Sequence, residues 1–247
     1  MSKGPDVKPL GIIGAMDEEI AVIRGKMTDT KEAVRGLYSF IHGILNELPV
    51  VLLQSGIGKV NAAIGTTLLI EAFKPSMIIN TGSAGGIEPS LAIGDIIIAQ
   101  QILHHDVDTT AFGYAKGQIP KMPTFFEPDP RLLEAALGMG DRIDDARIFV
   151  GLIASGDSFM HDKRKLNALR KDHPGLLAVE MESAAIAQTC YQLTLPYLIL
   201  RSISDLANSG SAKDFKTNIH LASANSAAAV LRVLEEIEQE DLSLSGK

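Results

Sequence analysis

The sequence predicts an α/β fold, a mostly parallel sheet covered by helices on both sides. Three observations carry that expectation. Apolar runs of strand length recur along the chain, each closed by a Gly, Ser or Asp turn. The runs are continuous in Val, Ile and Leu instead of alternating with polar residues, the pattern of strands buried on both faces. Longer stretches with helical spacing separate several of them.

In chain order, LGIIGAM (10–16) is the first run and leads into a helix that opens on Asp17, Glu18 and Glu19. PVVLLQSGIG (49–58) precedes the helical NAAIGTTLLIEAF (61–73), and SMIINTGSAGG (76–86) and GDIIIAQQIL (94–103) are two further strands. RLLEAALGMG (131–140) reads as a helix, ARIFVGLIASGD (146–157) and LLAVEME (176–182) as strands, and SAAIAQTCYQL (183–193) as a helix. YLILRSISD (197–205) is the last strand, and SANSAAAVLRVLEEIEQE (223–240) the last helix. Two long irregular pieces break this rhythm, residues 104–130 and 204–218. Loops of that length in a compact domain are functional or disordered, and the aromatic and proline content of the first favours an ordered interface loop. A chain of 247 residues in this class is expected to form one domain, with flexible ends at 1–9 and 241–247.

Composition narrows the function. Hydrophobic residues make up 46% and charged residues 21%, and no apolar run is long enough for a membrane span. The opening MSKGPDVKP lacks the pattern of a signal peptide, so the expected location is the cytoplasm. A net charge of -7 argues against a nucleic-acid partner. The single cysteine, Cys190, excludes an intramolecular disulfide and offers no thiol pair for a metal. The adjacent His104 and His105 would project to opposite faces of a strand and have no ligand at metal spacing, so no metal site is expected.

In open α/β sheets, ligands bind beyond the carboxyl ends of the strands. That rule selects Met16 to Glu19, Ser55 to Lys59, Thr81 to Gly86, Ser155 to Met160, Glu180 to Glu182, and Ser204 with Asp205. GIIGAM lacks a dinucleotide fingerprint and SGIGKV lacks the remaining P-loop residues. The small residues of TGSAGG suit either a tight turn or a backbone that approaches an anion or hydroxyl. If its strand persists, AVEME puts Glu180 and Glu182 on one face. A carboxylate there could accept two hydrogen bonds from a vicinal diol, or simply serve a helix N-terminus. Asp205 reads as a turn residue when taken alone. With Glu19 and Glu182 it completes a set of strand-end acids whose pKa values a low-dielectric site would push apart, giving one acid and one base.

Taken together, GIIGAMDEE, SGIGKVNAA, INTGSAGG, TAFGYAKGQIP, SGDSF, AVEMESAAIAQ and RSISD resemble the bacterial 5'-methylthioadenosine/S-adenosylhomocysteine nucleosidases of the purine nucleoside phosphorylase superfamily. The resemblance implies a three-layer α/β/α fold with a mixed, partly barrel-like central sheet, a homodimer, an adenine nucleoside substrate and no metal or organic cofactor. It implies that Glu19, aided by Ser83 and Arg201, activates the attacking water. Glu182 beside Met181 would bind the ribose hydroxyls, with Glu180, Ala84 and Gly85 in the same site. Asp205, positioned by Ser204, would protonate adenine N7. Phe159 would stack on the purine and the Met160 backbone would read its edge. Phe215, Ile57 and, from a neighbouring subunit, Thr109, Phe112 and Pro120 would enclose the 5'-substituent. Two positions depart from the family's habit: Thr109 is more often apolar, and Met160 stands where a branched aliphatic is common.

This resemblance gives the acidic mouth of the first strand a purpose. A phosphorylase holds an anionic phosphate under the ribose, where a carboxylate would repel it but could take a proton from water. Glu19 therefore favours hydrolysis over phosphorolysis, and the resemblance implies the N-glycosidic bond of methylthioadenosine and adenosylhomocysteine, and of 5'-deoxyadenosine, as the bond cleaved. The rival readings are a phosphate-dependent nucleoside phosphorylase, a 6-amino-6-deoxyfutalosine nucleosidase of menaquinone synthesis, and a non-catalytic nucleoside-binding module.

Overall fold

The computed structural model describes residues 8–207 and 211–245, with side chains described through residue 237. The chain runs β1 (Leu10–Gly14), α1 (Asp17–Lys26), β2 (Thr28–Arg35), β3 (Tyr38–Leu45), β4 (Leu48–Gln54), α2 (Lys59–Phe73), β5 (Ile78–Asn80) and β6 (Ser83–Gly86). It continues through β7 (Ile96–His104), α3 (Pro130–Gly138), β8 (Arg142–Ile143), β9 (Ala146–Ser155), α4 (Lys163–Asp172), β10 (Leu176–Glu180), α5 (Ser183–Gln192), β11 (Tyr197–Asp205) and α6 (Ser211–Ser245).

The continuous apolar runs are explained by two separate cores, one on each side of the sheet. Ile12, Val50, Leu52, Ile96 and Ile98 pack with Ile20 and Ile23 of α1, Leu132 and Ala136 of α3, and Val230 and Val233 of α6. Their chain neighbours Ile13, Val51, Leu53 and Ile97 pack with Ala62 and Leu69 of α2 and Ala184 and Ile186 of α5. Successive side chains of a strand point to opposite faces, so a run with no polar alternation feeds both cores. The result is three layers, α/β/α.

The strand order is β2-β3-β4-β1-β5-β11-β6-β10-β9-β7. The sheet is mixed: β1 pairs in parallel with β4 and β5, whereas β3–β4, β10–β6 and β11–β7 are antiparallel. Because β7 returns to pair with β11, the strands β11, β6, β10, β9 and β7 close into a five-stranded barrel. The long strand β11 belongs to both parts: Tyr197 to Ile199 pair with β5, Leu200 to Ser202 with β7, and Ser202 to Asp205 with β6. All nine of its residues are buried.

Some elements differ from those expected. The hairpin β2–β3 was not among the expected strands: TDTKEAVR of β2 is polar and almost wholly exposed, and YSFIHGIL of β3 fully buries only Phe40 and Leu45. Helix α4, KRKLNALRKD, buries only Leu166 and Leu169. The segment 204–218, expected as a loop, is helical from Ser211 onward, and its exposed Ala212, Lys213, Lys216 and Thr217 conceal the helical period. Helical backbone continues through Ser245; residues 1–7 and 246–247 of the two ends lie outside the described residues. Among the described residues, no helix is long and apolar enough to cross a membrane.

Candidate active site

The carboxyl ends of β1, β4, β6, β9, β10 and β11 converge on a cavity of about 350 Å³, within the usual size of a small-molecule site. Glu19, Ile57, Ser83, Ala84, Gly85, Phe159, Met160, Glu180, Met181, Glu182, Ser204, Asp205 and Phe215 all line it.

Glu19 lies in the first turn of α1, turned back towards the sheet and buried. Its Oε2 accepts the backbone N–H groups of Ala15 (2.8 Å) and Met16 (3.2 Å), and its Oε1 accepts the Ser83 N–H (2.8 Å) and Oγ–H (2.9 Å). Four donors fill the capacity of a carboxylate, and the Ser83 hydroxyl is the one of the four that can rotate away. Gly82 makes this approach possible, since a Cβ there would stand 2.7 Å from Glu19 Oε1 and 3.0 Å from Arg201 Nη1.

Glu180 and Glu182 are two residues apart yet chemically opposite. The strand stops at Glu180, and Glu182 is the N-cap of α5, so simple alternation does not relate them. Glu180 Oε2 receives Arg201 Nη2 (2.8 Å) and the N–H groups of Glu182 (2.9 Å) and Ser183 (2.8 Å), while Oε1 receives the Ser155 hydroxyl. Burial alone would raise its pKa, but the Arg201 guanidinium and these donors hold it below the ordinary value. The saturated Glu180 thus serves as an internal anchor. Arg201, which the resemblance assigns to aid Glu19, donates to Glu180 and to Asn80 Oδ1 (2.7 Å); it makes no hydrogen bond to Glu19 and is coupled to it through charge. A buried guanidinium needs a paired anion, and Glu180 supplies it at hydrogen-bond distance.

Glu182 keeps its remaining hydrogen-bond capacity for the cavity, because its carboxylate accepts only the Gly58 N–H (2.7 Å) among the described residues. Burial first, and then the charge of Glu180, push its pKa up to about 8. An acid that resists ionisation in the folded state loses stability as pH rises from the unfolded value of 4.5 towards 8, because the unfolded chain releases its proton first. For Glu182→Gln, which removes this titration, the ligand-free Tm is expected to fall less between about pH 5 and pH 8 than in the parent. Parallel Tm curves in thermal melts would contradict the assignment.

Asp205 ends β11 at an irregularity, where the register with β6 shifts between Ile203 and Asp205. Such a bulge re-aims a side chain. Its Oδ1 accepts the Ala207 N–H (2.9 Å) and its Oδ2 the Ser204 hydroxyl (3.1 Å). Burial raises its pKa despite these donors. Phe159 packs edge-on against Phe215 at 6.1 Å between centroids, and is 40% exposed, leaving ring surface open for a planar ligand.

Thr109, Phe112 and Pro120 do not line the cavity of their own chain. Thr109 Oγ1 donates to the Gln118 carbonyl (2.7 Å), and Phe112, the last residue of a short 3-10 turn, is 81% exposed. Sequence reasoning missed Ala15, Val179, Ala212 and Lys216, all of which line the cavity; Ser158, within the selected strand end Ser155 to Met160, lines it too. Lys216 is the one cation among the lining residues and has no ion-pair partner among the described residues. The early start of α6 at Ser211, hidden in a polar segment, brings it there. Among the described residues, no group of three His, Cys, Asp or Glu side chains is arranged to hold a metal, and His104 Nε2 instead faces Gln188 Oε1 at 3.0 Å.

Residues 9–235 match the model of the phosphorylase superfamily. The 5'-methylthioadenosine/S-adenosylhomocysteine nucleosidase of Anoxybacillus flavithermus is 47% identical over 230 residues, 93% of this chain and 99% of the relative. The structure of the Neisseria meningitidis 5'-methylthioadenosine/S-adenosylhomocysteine nucleosidase in complex with methylthio-immucillin-A superimposes with a TM-score of 0.90 at 44% identity, covering 92% of this chain and 99% of that one. The native structure of futalosine hydrolase of Helicobacter pylori is also similar, with a TM-score of 0.88 at 32% identity over 93% and 98% of the two chains. By its matched length, its identity to these relatives and its fold, the chain belongs to the phosphorylase superfamily and, within it, to the family of 5'-methylthioadenosine/S-adenosylhomocysteine nucleosidases.

Proposed function

We propose that this cavity hydrolyses the N-glycosidic bond of 5'-methylthioadenosine and S-adenosylhomocysteine, releasing adenine and the corresponding thioribose. The observation that carries the reading is the buried Glu19 carboxylate facing the cavity with Ser83 as its partner. Glu19 takes a proton from a water whose oxygen bonds to C1' as the C1'–N9 bond breaks, and Asp205 supplies the proton that adenine accepts at N7. The raised pKa of Asp205 suits an acid that must hold its proton near neutral pH. Glu182, with hydrogen-bond capacity unused by the protein, takes the ribose hydroxyls, and Ser204 orients Asp205. Phe159 and Met160 receive the purine, and Ile57 and Phe215 the 5'-substituent. Arg201 acts through Glu180 by anchoring the floor of the site. Its engagement there leaves Arg201 unavailable as the cation that a phosphorylase would offer to the substrate phosphate.

The test is adenine release from 5'-methylthioadenosine in phosphate-free buffer and with added phosphate. Equal release in both, with free methylthioribose as product, is the expected result, and strict phosphate dependence would make the protein a phosphorylase. The likeness to a futalosine hydrolase supports a second reading, that 6-amino-6-deoxyfutalosine is also cleaved. Phe215→Ala is expected to raise KM for 5'-methylthioadenosine about tenfold, the loss of roughly 1.4 kcal/mol of apolar contact. KM for adenosine, which lacks the alkylthio group, should change less, and equal changes would remove Phe215 from the 5' pocket.

A homodimer fits the exposed apolar side chains Val60 and Ile64 of α2, Tyr191 and Leu193 at the end of α5, and Phe112. In that assembly Thr109, Phe112 and Pro120 reach the neighbouring subunit's 5' pocket. A small acidic enzyme acting on free nucleosides belongs in the cytoplasm.

A further inference from the structure

Three strand-end loops are joined by a closed ring of hydrogen bonds that none of the steps above employs. The Lys59 backbone N–H donates to Asp157 Oδ1 (2.7 Å), the Asp157 backbone N–H donates to Asp106 Oδ2 (3.0 Å), and the Lys59 ammonium donates to Asp106 Oδ1 (2.6 Å). Lys59 follows β4, Asp157 follows β9 and Asp106 follows β7. The Lys59–Asp106 pair is largely shielded, its side chains 18% and 29% exposed.

The ring ends one residue from the candidate ribose site. Gly58 precedes Lys59 with φ 96° and ψ 157°, a conformation nearly confined to glycine, and a Cβ there would stand 3.0 Å from Asp157 Oδ1. Two consecutive amides at the start of α2 therefore face two carboxylates: Gly58 N–H meets Glu182 at 2.7 Å and Lys59 N–H meets Asp157 at 2.7 Å. The first of these is the sole described hydrogen bond on the Glu182 carboxylate.

We propose that Asp157 is a positioning residue for the reaction: through the ring with Lys59 and Asp106 it fixes the Gly58–Lys59 peptide, and so sets the direction in which Glu182 presents its carboxylate to the ribose hydroxyls. The proposal rests on the reading of Glu182 as the ribose ligand. A carboxylate held by one donor is only as well placed as that donor, and Gly58, with no side chain of its own, depends on its neighbour for a fixed peptide plane. Misplacement of a substrate-holding group by about 1 Å can cost on the order of a hundredfold in rate.

The test compares kcat and KM of the parent, Asp157→Ala and Asp157→Asn on 5'-methylthioadenosine and on its 2'-deoxy analogue, with a thermal melt of each variant. Asp157→Ala is expected to lower kcat/KM for 5'-methylthioadenosine about tenfold or more, mainly through KM, and to lower it less than about twofold for the 2'-deoxy analogue. Asp157→Asn keeps an oxygen that accepts the Lys59 N–H and should stay within about threefold of the parent on both. Should Asp157→Ala fail to fold, Asp106→Asn weakens the ring from its far side and should show the same dependence on the ribose hydroxyl with a loss of about threefold. Equal losses on the two substrates, or no loss in either variant, would overturn the positioning role alone. Absence of turnover by the parent would overturn the nucleosidase reading with it.

Discussion

Glu19→Gln is expected to lower kcat for 5'-methylthioadenosine about a thousandfold while substrate binding stays measurable, because general-base catalysis of this kind contributes roughly 10² to 10⁴. The amide is nearly isosteric but cannot take a proton from water. It also has only one acceptor oxygen for four donors, so its NH2 must face either the Ala15 and Met16 amides or the Ser83 amide and hydroxyl. That mismatch adds some loss of stability, which a melt reports independently of kcat. A single-turnover assay at saturating substrate separates chemistry from binding, and a near-parental rate would remove Glu19 from the reaction.

Asp205→Asn is expected to cost a comparable factor of about 10² to 10⁴ in kcat for a different reason. The side-chain amide can hydrogen bond to adenine N7 but has no proton to transfer, so the leaving group departs as a poorer, more basic anion. Asp205 is buried beside Ser204 and Ala207, and burial keeps its proton on to a higher pH than a solvated aspartate would. The variant should therefore lose any alkaline limb of the kcat profile that reports deprotonation of Asp205. An unchanged kcat, or a profile that retains that limb, would assign the proton to another group.

Much of the fold was legible because burial on both faces leaves its mark on composition. Ile12 and Ile13, or Ile96 to Ile98, are read as strand whichever side each residue takes, and the structure distributes them between two cores. Elements with little buried surface left no such mark: β2 is almost entirely exposed and α4 buries two leucines in ten residues. The closure of the barrel was likewise invisible in periodicity, since the β7–β11 pairing joins residues about a hundred positions apart through backbone groups that every residue carries. The resemblance to a known family supplied that feature where composition could not.

The amino-acid sequence by itself determined which acids stand at strand ends, since the turn that follows each apolar run is a local property, and so Glu19, Glu182 and Asp205 could be named together. What each acid does was decided by the tertiary structure. Glu180 and Glu182 carry the same functional group two residues apart, yet Arg201 and three further donors engage the first whereas one glycine amide meets the second. The reason is that protonation and hydrogen-bond capacity depend on desolvation and on partners 21 to 124 residues away, and chain separation places no limit on which groups a closed sheet brings within 3 Å.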